Sequence, residues 1–447
     1  MQNKKAGFGF RGWMLILYQF IAYLTYVVFT NWPMNALADF YGGQTKVSTV
    51  YTIGLVVGIV AQLILSRNIG KVKNIKNLSI ILGVISLVFA LGVMLIPFTS
   101  LTLWTIVYFL ECVVVTVWCT FLIGILIGQW FPRRKGTVMG IVTFAFPVAN
   151  GLISVFTGAV FGPMAVTGMP NITGAFVPYF IIGVVGLLIG AIFIKDYPEQ
   201  CGCFRDNDQS FTPEIANAMM EAEIENKKTT VWTLGNTFKC GSFWLLTIPM
   251  GLLLMTAIGM MTQTVSIIGS FGYDATSPEF GMIMLGVAVV ACIGSYVLGL
   301  IDTKCGTKTA ILISTVLMII GGIFGTIHSF PCLIVALFCL AVFMGSSSNF
   351  TVSGAVQYWR IEDFPSVFAR VNPIANVINA AGPMVIAALL FSKGAPNPAV
   401  PFLFVAICGV VSLVLILLFK PINVKKLDDK YRAAAGKPLD DALVGRK

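Results

Sequence analysis

Charge is scarce in this chain. Of its 447 residues only 11% are Asp, Glu, Lys or Arg, against about 25% in soluble domains, and 57% are hydrophobic. Histidine is nearly missing. With His328 as the single copy, a histidine-based catalytic or metal centre has little support, so neither metal nor cofactor is expected. No Gly-x-x-x-x-Gly-Lys-Ser/Thr loop is visible, which argues against direct ATP drive. The ten cysteines are scattered through apolar runs and loops, with Cys201 and Cys203 in a loop expected to face a reducing compartment, so no disulfide framework is implied.

What the chain has is long apolar runs. Hydropathy marks twelve, at approximately 13–37, 46–66, 77–97, 101–128, 137–161, 176–194, 241–270, 279–301, 308–327, 331–357, 370–391 and 400–419. The fourth, roughly 28 residues at about 1.5 Å each, crosses a hydrocarbon core of about 30 Å. The first follows Lys4, Lys5 and Arg11 without a small-residue cleavage site, so it is expected to remain as a span. All Lys and Arg except Lys46 and Lys393 fall in alternate loops or terminal segments on one side, which predicts cytoplasmic termini in a cell (plasma or inner) membrane. That placement also explains the net charge of +10 as topology, with the lipid bilayer as partner and no nucleic acid.

The loop 195–240 divides the spans six and six. The expected organisation is an N-terminal six-helix bundle over 1–194, a linker over 195–240, a C-terminal bundle over 241–420 and a cytoplasmic tail over 421–447. Thr212, Pro213 and Glu214 read as the start of a short linker helix running to Lys228. The halves echo each other: Gly70 and Gly306 close the loop after the second span of each half, Gln129 and Gln357 end the fourth, and Pro147 and Pro383 interrupt the fifth. Matched Pro-interrupted spans are the pattern of a transporter built from repeats.

The loop residues Gly299, Leu300, Ile301, Asp302, Thr303, Lys304, Cys305, Gly306, Thr307 and Lys308 resemble the cytoplasmic motif of the major facilitator superfamily, with the acid one place early. The counterpart, Leu63 through Arg67 and Gly70 to Lys73, keeps the glycine and bases but has Arg67 where an acid is expected. Trp130, Phe131, Pro132, Arg133, Arg134, Lys135 and Gly136 look like a segment of the oxalate/formate antiporter and monocarboxylate transporter branch. So do Tyr197, Pro198, Glu199, Gly202, Asp206 and Asn207. The resemblance implies an all-α membrane protein of two pseudo-symmetric six-helix bundles that rock about a central cavity, working as a monomer. It also implies a cytoplasmic gate motif at Arg67, Gly70, Lys71, Arg133, Arg134, Gly299, Asp302, Gly306 and Lys308. The bases that hold a dianion in spans eight and eleven of oxalate carriers have no equivalent here, so oxalate is not expected.

One ionisable residue, Glu111, lies well inside a run, where a carboxyl costs on the order of 3 kcal/mol to insert and normally faces protein or water. Trp104, Tyr108, Glu111, Val115 and Trp118 share a helix face. Functionally this face lines a cavity in which Glu111 takes up a proton, or in which it and the aromatics hold an organic cation by charge and cation-π attraction; structurally, the aromatics form a membrane-interface belt and Glu111 bonds a neighbouring helix. Candidate substrate-binding groups are Tyr23, Tyr26, Tyr108, Trp118, Asn150, Gln263, Ser347, Asn349, Asn376 and Asn379, each of which can equally bond helix to helix. Gly54 with Gly58, Gly124 with Gly128, Gly186 with Gly190 and Gly321 with Gly325 have the spacing of close helix contacts. Asn171, Ile172 and Thr173 form a glycosylation sequon.

The expected function is a secondary active transporter, not an enzyme, moving a small organic solute by proton-coupled symport. The alternatives are an antiporter of small organic anions such as monocarboxylates, and a membrane sensor without transport.

Overall fold

The computed structural model describes residues 7–68, 74–131, 134–208, 214, 230–360 and 363–437. Among the described residues twelve helices are long and apolar enough to cross a membrane: α1 Phe10–Ala36, α2 Gln44–Leu65, α3 Ile75–Leu95, α4 Leu101–Trp130, α5 Thr137–Phe161, α6 Ile172–Phe193, α7 Gly241–Met261, α8 Pro278–Cys305, α9 Thr307–Gly325, α10 Phe330–Ala355, α11 Ser366–Leu390 and α12 Ala399–Leu418. Their starts follow local chemistry. Asn74, Asn171 and Ser277 accept the backbone N–H groups of Asn77, Gly174 and Phe280, leaving fewer amide groups unsatisfied as α3, α6 and α8 begin. The sequon asparagine is thus also a helix cap.

Helices α1–α6 pack as one bundle, through α1 on α6, α2 on α4 and α3 on α4; α7–α12 form the other, through α7 on α11, α8 on α10 and α9 on α12. The bundles meet along α5 against α8 and α2 against α11. Small residues set the close approaches. A Cβ on Gly54 would stand 2.7 Å from Cys112, one on Gly190 2.8 Å from Tyr18, and one on Gly325 2.1 Å from Phe402. Gly124 is different: nothing lies within 4 Å, so it makes no such contact. Large apolar side chains such as Ile64, Val88, Leu285 and Leu418 point outward, an inversion of the soluble pattern that suits lipid.

Three features depart from expectation. Helix α11 begins at Ser366, ahead of the hydropathy run that opens at Arg370; the Arg370 guanidinium donates to the Trp232 carbonyl at 2.6 Å and Thr237 Oγ1 at 2.9 Å, so it is anchored at that end of the bundle. The tail folds as α13, Pro421–Ala434, burying Val424, Asp428 and Arg432 on one face at helical spacing. Two spanning helices contain widened π turns, Val27–Asn31 in α1 and Thr116–Leu122 in α4. The expected linker helix lies outside the described residues except Glu214, which is helical.

The turn between α8 and α9 explains part of the repeat. Gly306 sits at φ 91°, which favours glycine, and a Cβ there would stand 2.7 Å from Gln357 Nε2. The Gln357 Oε1 then accepts the Thr307 N–H at 2.7 Å. Glycine and glutamine echo across the halves because, in the second, they meet.

Candidate functional site

An enclosed space lies where the bundles join. Asn31, Phe146 and Asn150 line it from the first bundle; Leu254, Ile258, Met261, Thr262, Met344 and Ser348 line it from the second. Its volume is ≈ 30 Å³, room for about one water. None of the nine is ionisable. The π turn of α1 carries Asn31, and a break in α5 near Thr143 precedes Phe146 and Asn150. π turns recur at functional sites because one widened turn re-aims the residues beyond it. Asn150 Nδ2 donates to the Phe146 carbonyl at 3.1 Å and approaches Met344 Sδ at 3.8 Å. The Phe146 ring lies 5.2 Å from Tyr23 and 6.2 Å from Tyr26.

On the face away from the termini, hydrogen bonds close the seam between bundles. Asn35 Nδ2 donates to the Met261 carbonyl at 3.1 Å, and its Oδ1 accepts the Val265 N–H at 3.1 Å, so one side chain spans the break that ends α7. Gln263 Nε2 donates to Ser48 Oγ at 3.3 Å, and Thr157 Oγ1 to the Ala275 carbonyl at 2.7 Å. Towards the terminal face an apolar groove of ≈ 560 Å³ runs along the outside beside Leu63 of α2 and Trp244, Ile248 and Val377 of α7 and α11.

Glu111 is elsewhere. Its side chain is 0% exposed inside the first bundle, where Ser86 Oγ of α3 donates to Oε1 at 2.9 Å and Oε2 has no partner among the described residues. The shared face of α4 is real, since Trp104, Tyr108, Val115 and Trp118 are all buried with it. Yet it is a packing face and not a lining of the shared cavity. Trp104 stacks on Tyr41 at 3.7 Å and on Tyr108 at 4.7 Å, while Trp118 Nε1 donates to Tyr18 OH at 2.9 Å, which in turn meets Ser79 Oγ at 2.9 Å. Large rings gain most from full burial, which turns this stripe into its own bundle. Tyr108 still reaches towards the junction: its hydroxyl donates to the Thr30 carbonyl at 2.5 Å, adjacent to Asn31.

The other candidates separate by position. Asn150 lines the cavity and Tyr23 and Tyr26 back it; the Tyr26 hydroxyl pairs with Tyr51 at 2.7 Å. Gln263 belongs to the far seam. Ser347 is buried and donates to the Met344 carbonyl at 2.8 Å, leaving Ser348 to face the cavity. Asn349 Nδ2 reaches Thr143 Oγ1 across the junction at 3.5 Å. Asn376 bonds back to Asn372, and Asn379 Oδ1 is buried without a partner among the described residues; neither lines the cavity. Asn31, Asn35 and Thr262 were not among the candidates. Asn31 and Asn35 lie one turn apart on α1, a polar pair in an apolar run that carried the missing signal.

At the terminal face, Asp302 Oδ1 accepts the Thr307 hydroxyl at 2.6 Å, Lys308 Nζ donates to the Phe419 carbonyl at 2.7 Å, and Gly299 lies on the exposed outside of α8. Arg134 N–H donates to Asp206 Oδ1 at 3.0 Å, with its guanidinium 5.8 Å over Phe8. Gly70, Lys71 and Arg133 lie outside the described residues, as does the side chain of Arg67. The two segments that carry the branch resemblance meet through the Arg134–Asp206 bond, and Trp130 Nε1 donates to the carbonyl of Lys195, just ahead of the second segment, at 3.0 Å.

Residues 244–443 match the family described as Major Facilitator Superfamily. The architecture is the major facilitator fold, and this match supports a membrane transporter in general. No curated protein matches the chain. Within this fold the described cavity sits at the junction of the repeats, where binding sites of repeat-built transporters form.

Proposed function

We propose that this chain is a secondary active transporter that moves a small organic solute across the cell membrane by alternating access, as a monomer with the terminal face cytoplasmic. The observation that carries the reading is the junction: a cavity lined by four polar side chains among apolar ones, contributed by both bundles and closed to one face by hydrogen bonds from bundle to bundle. Rocking the bundles exchanges which side is open.

Proton symport is the favoured drive, with Glu111 as the coupling group. It is the acid furthest from either face, and burying an ionised carboxylate without a base costs several kcal/mol, so a change in its protonation shifts how the first bundle packs. Tyr108, one turn away on α4 and bonded to Thr30, ties that packing to the cavity wall. Reconstituted protein tests this directly. Glu111→Gln is expected to abolish uphill accumulation under an imposed pH gradient while keeping solute exchange at equal pH; undiminished uphill accumulation would remove the acid from the mechanism. Exchange of small organic anions is the second reading, supported by the branch resemblance of 130–136 and 197–207, but no base lines the cavity to receive them.

A further inference from the structure

Resting on the transporter reading above, we propose that the junction cavity selects an uncharged solute: a short apolar skeleton bearing one group that both donates and accepts a hydrogen bond, such as a hydroxyl, a primary amide or an undissociated carboxyl.

The polar groups of the cavity form a small, definite set. Asn150 Nδ2 is taken by the Phe146 carbonyl, and Oδ1 has no partner among the described residues, so this side chain offers an acceptor. Asn31 Oδ1 lies 3.5 Å from the Thr30 hydroxyl, whereas its Nδ2 has no partner among the described residues and offers a donor. Across the gap, the hydroxyls of Thr262 and Ser348 donate to the carbonyls of Gly259 at 2.8 Å and Gly345 at 3.0 Å, which leaves their lone pairs as further acceptors. The rest of the wall is ring, aliphatic chain and thioether from Phe146, Leu254, Ile258, Met261 and Met344. The space as it stands holds about one water, so a solute enters only as the bundles part, one end then meeting the hydrogen-bonding groups and its body the apolar ones.

Charge has no place in this set. Glu111 is turned into the first bundle, and Arg370 is held by Trp232 and Thr237 at the terminal end of α11. An ion entering the closed cavity would give up its water without gaining a counter-charge, whereas a neutral donor–acceptor group exchanges each bond to water for one to an amide or hydroxyl. The far seam follows the same rule, since Asn35, Gln263 and Thr157 close it with neutral groups alone.

Thiol labelling tests the selection even while the solute is unidentified. Asn150→Cys and Ser348→Cys, one on each bundle, are made separately in the full chain and reacted in membrane vesicles with methanethiosulfonates of matched length. The reagents carry a neutral hydroxyethyl, an anionic sulfonatoethyl or a cationic trimethylammonioethyl group. Rates are read by peptide mass spectrometry, which separates the new site from the ten native cysteines, and each is divided by that reagent's rate with mercaptoethanol. The neutral reagent is expected to react at least ~30-fold faster than either ion at both positions. A charged reagent within about threefold of the neutral one at both positions overturns the proposal. Vesicles of opposite orientation keep the two readings apart. Access from a single face with the charge order intact would break alternating access and leave the selection standing; access from both faces with an ion preferred would do the reverse.

Discussion

The two bundles share one architecture and differ in how their most buried polar groups are tied. In the first, polarity lies deep inside: Glu111 with Ser86, Tyr18 with Ser79 and Trp118, and Tyr26 with Tyr51. In the second, interior hydroxyls fold back on their own helices, as Ser314 does on Ala310 and Ser347 on Met344, and the charges gather at the terminal rim. There Arg360 pairs with Asp428 at 2.8 Å, Asp428 with Arg432 at 3.1 Å, and Arg432 with Asp363. Trp232 Nε1 donates to Asp428 at 2.9 Å and the Thr230 hydroxyl to Asp363 at 2.6 Å, so the linker end, α13 and the start of α11 are tied together. Among the described residues of this set each acid meets a base. Buried acids paired in this way are a structural fastening, whereas an acid without a base suits a group that changes its protonation state.

That contrast is open to attack at several points. The largest stability effect belongs to the rim: Asp428→Ala removes the shared acceptor of Arg360, Arg432 and Trp232 and is expected to cost about 3–5 kcal/mol, read as a drop in the thermal midpoint of the purified protein. Overpacking comes next. Gly325→Ala forces a methyl into the Phe402 ring and is expected to cost about 1–3 kcal/mol by the same measurement. In the first bundle, Trp118→Phe removes the donor to Tyr18 and should cost about 1 kcal/mol. Glu111→Gln sharpens the comparison most, because it is expected to change stability by less than about 1 kcal/mol while abolishing gradient-driven uptake; an Asp428-sized loss of stability would make the acid structural after all. The smallest effect is outside the bundles. The Thr276 hydroxyl and N–H hold the Asp274 carboxyl below the usual carboxylate range, so its contribution is present above that range and lost as pH falls through the lowered value. Asp274→Asn is expected to flatten the acid limb of the thermal midpoint against pH.

Much of the fold was legible in the sequence. The observed helices overlap all twelve hydropathy runs, because lipid imposes length and composition on each span separately. The terminal helix α13 was missed, since only every fourth residue, Val424, Asp428 and Arg432, is buried, and two of those are charged. The site was less legible. Glu111 stands out as an isolated acid, and Asn150 stands out beside Pro147, but the direction each faces depends on neighbours distant in sequence. Ser347 and Ser348 illustrate the limit: adjacent hydroxyls in one run, of which only the second reaches the cavity.

The sequence by itself determined the spans, the one-sided placement of base, the repeat and the scarcity of charge within the membrane, because each follows from the local free energy of moving residues out of water. Only the tertiary structure decided that the α4 aromatic face packs inward, that Asn31 rather than Glu111 meets the shared cavity, and that Asn35 bridges the break after α7. Those outcomes depend on which helix lies opposite and on the turn by which α1 is widened, and long-range packing settles both.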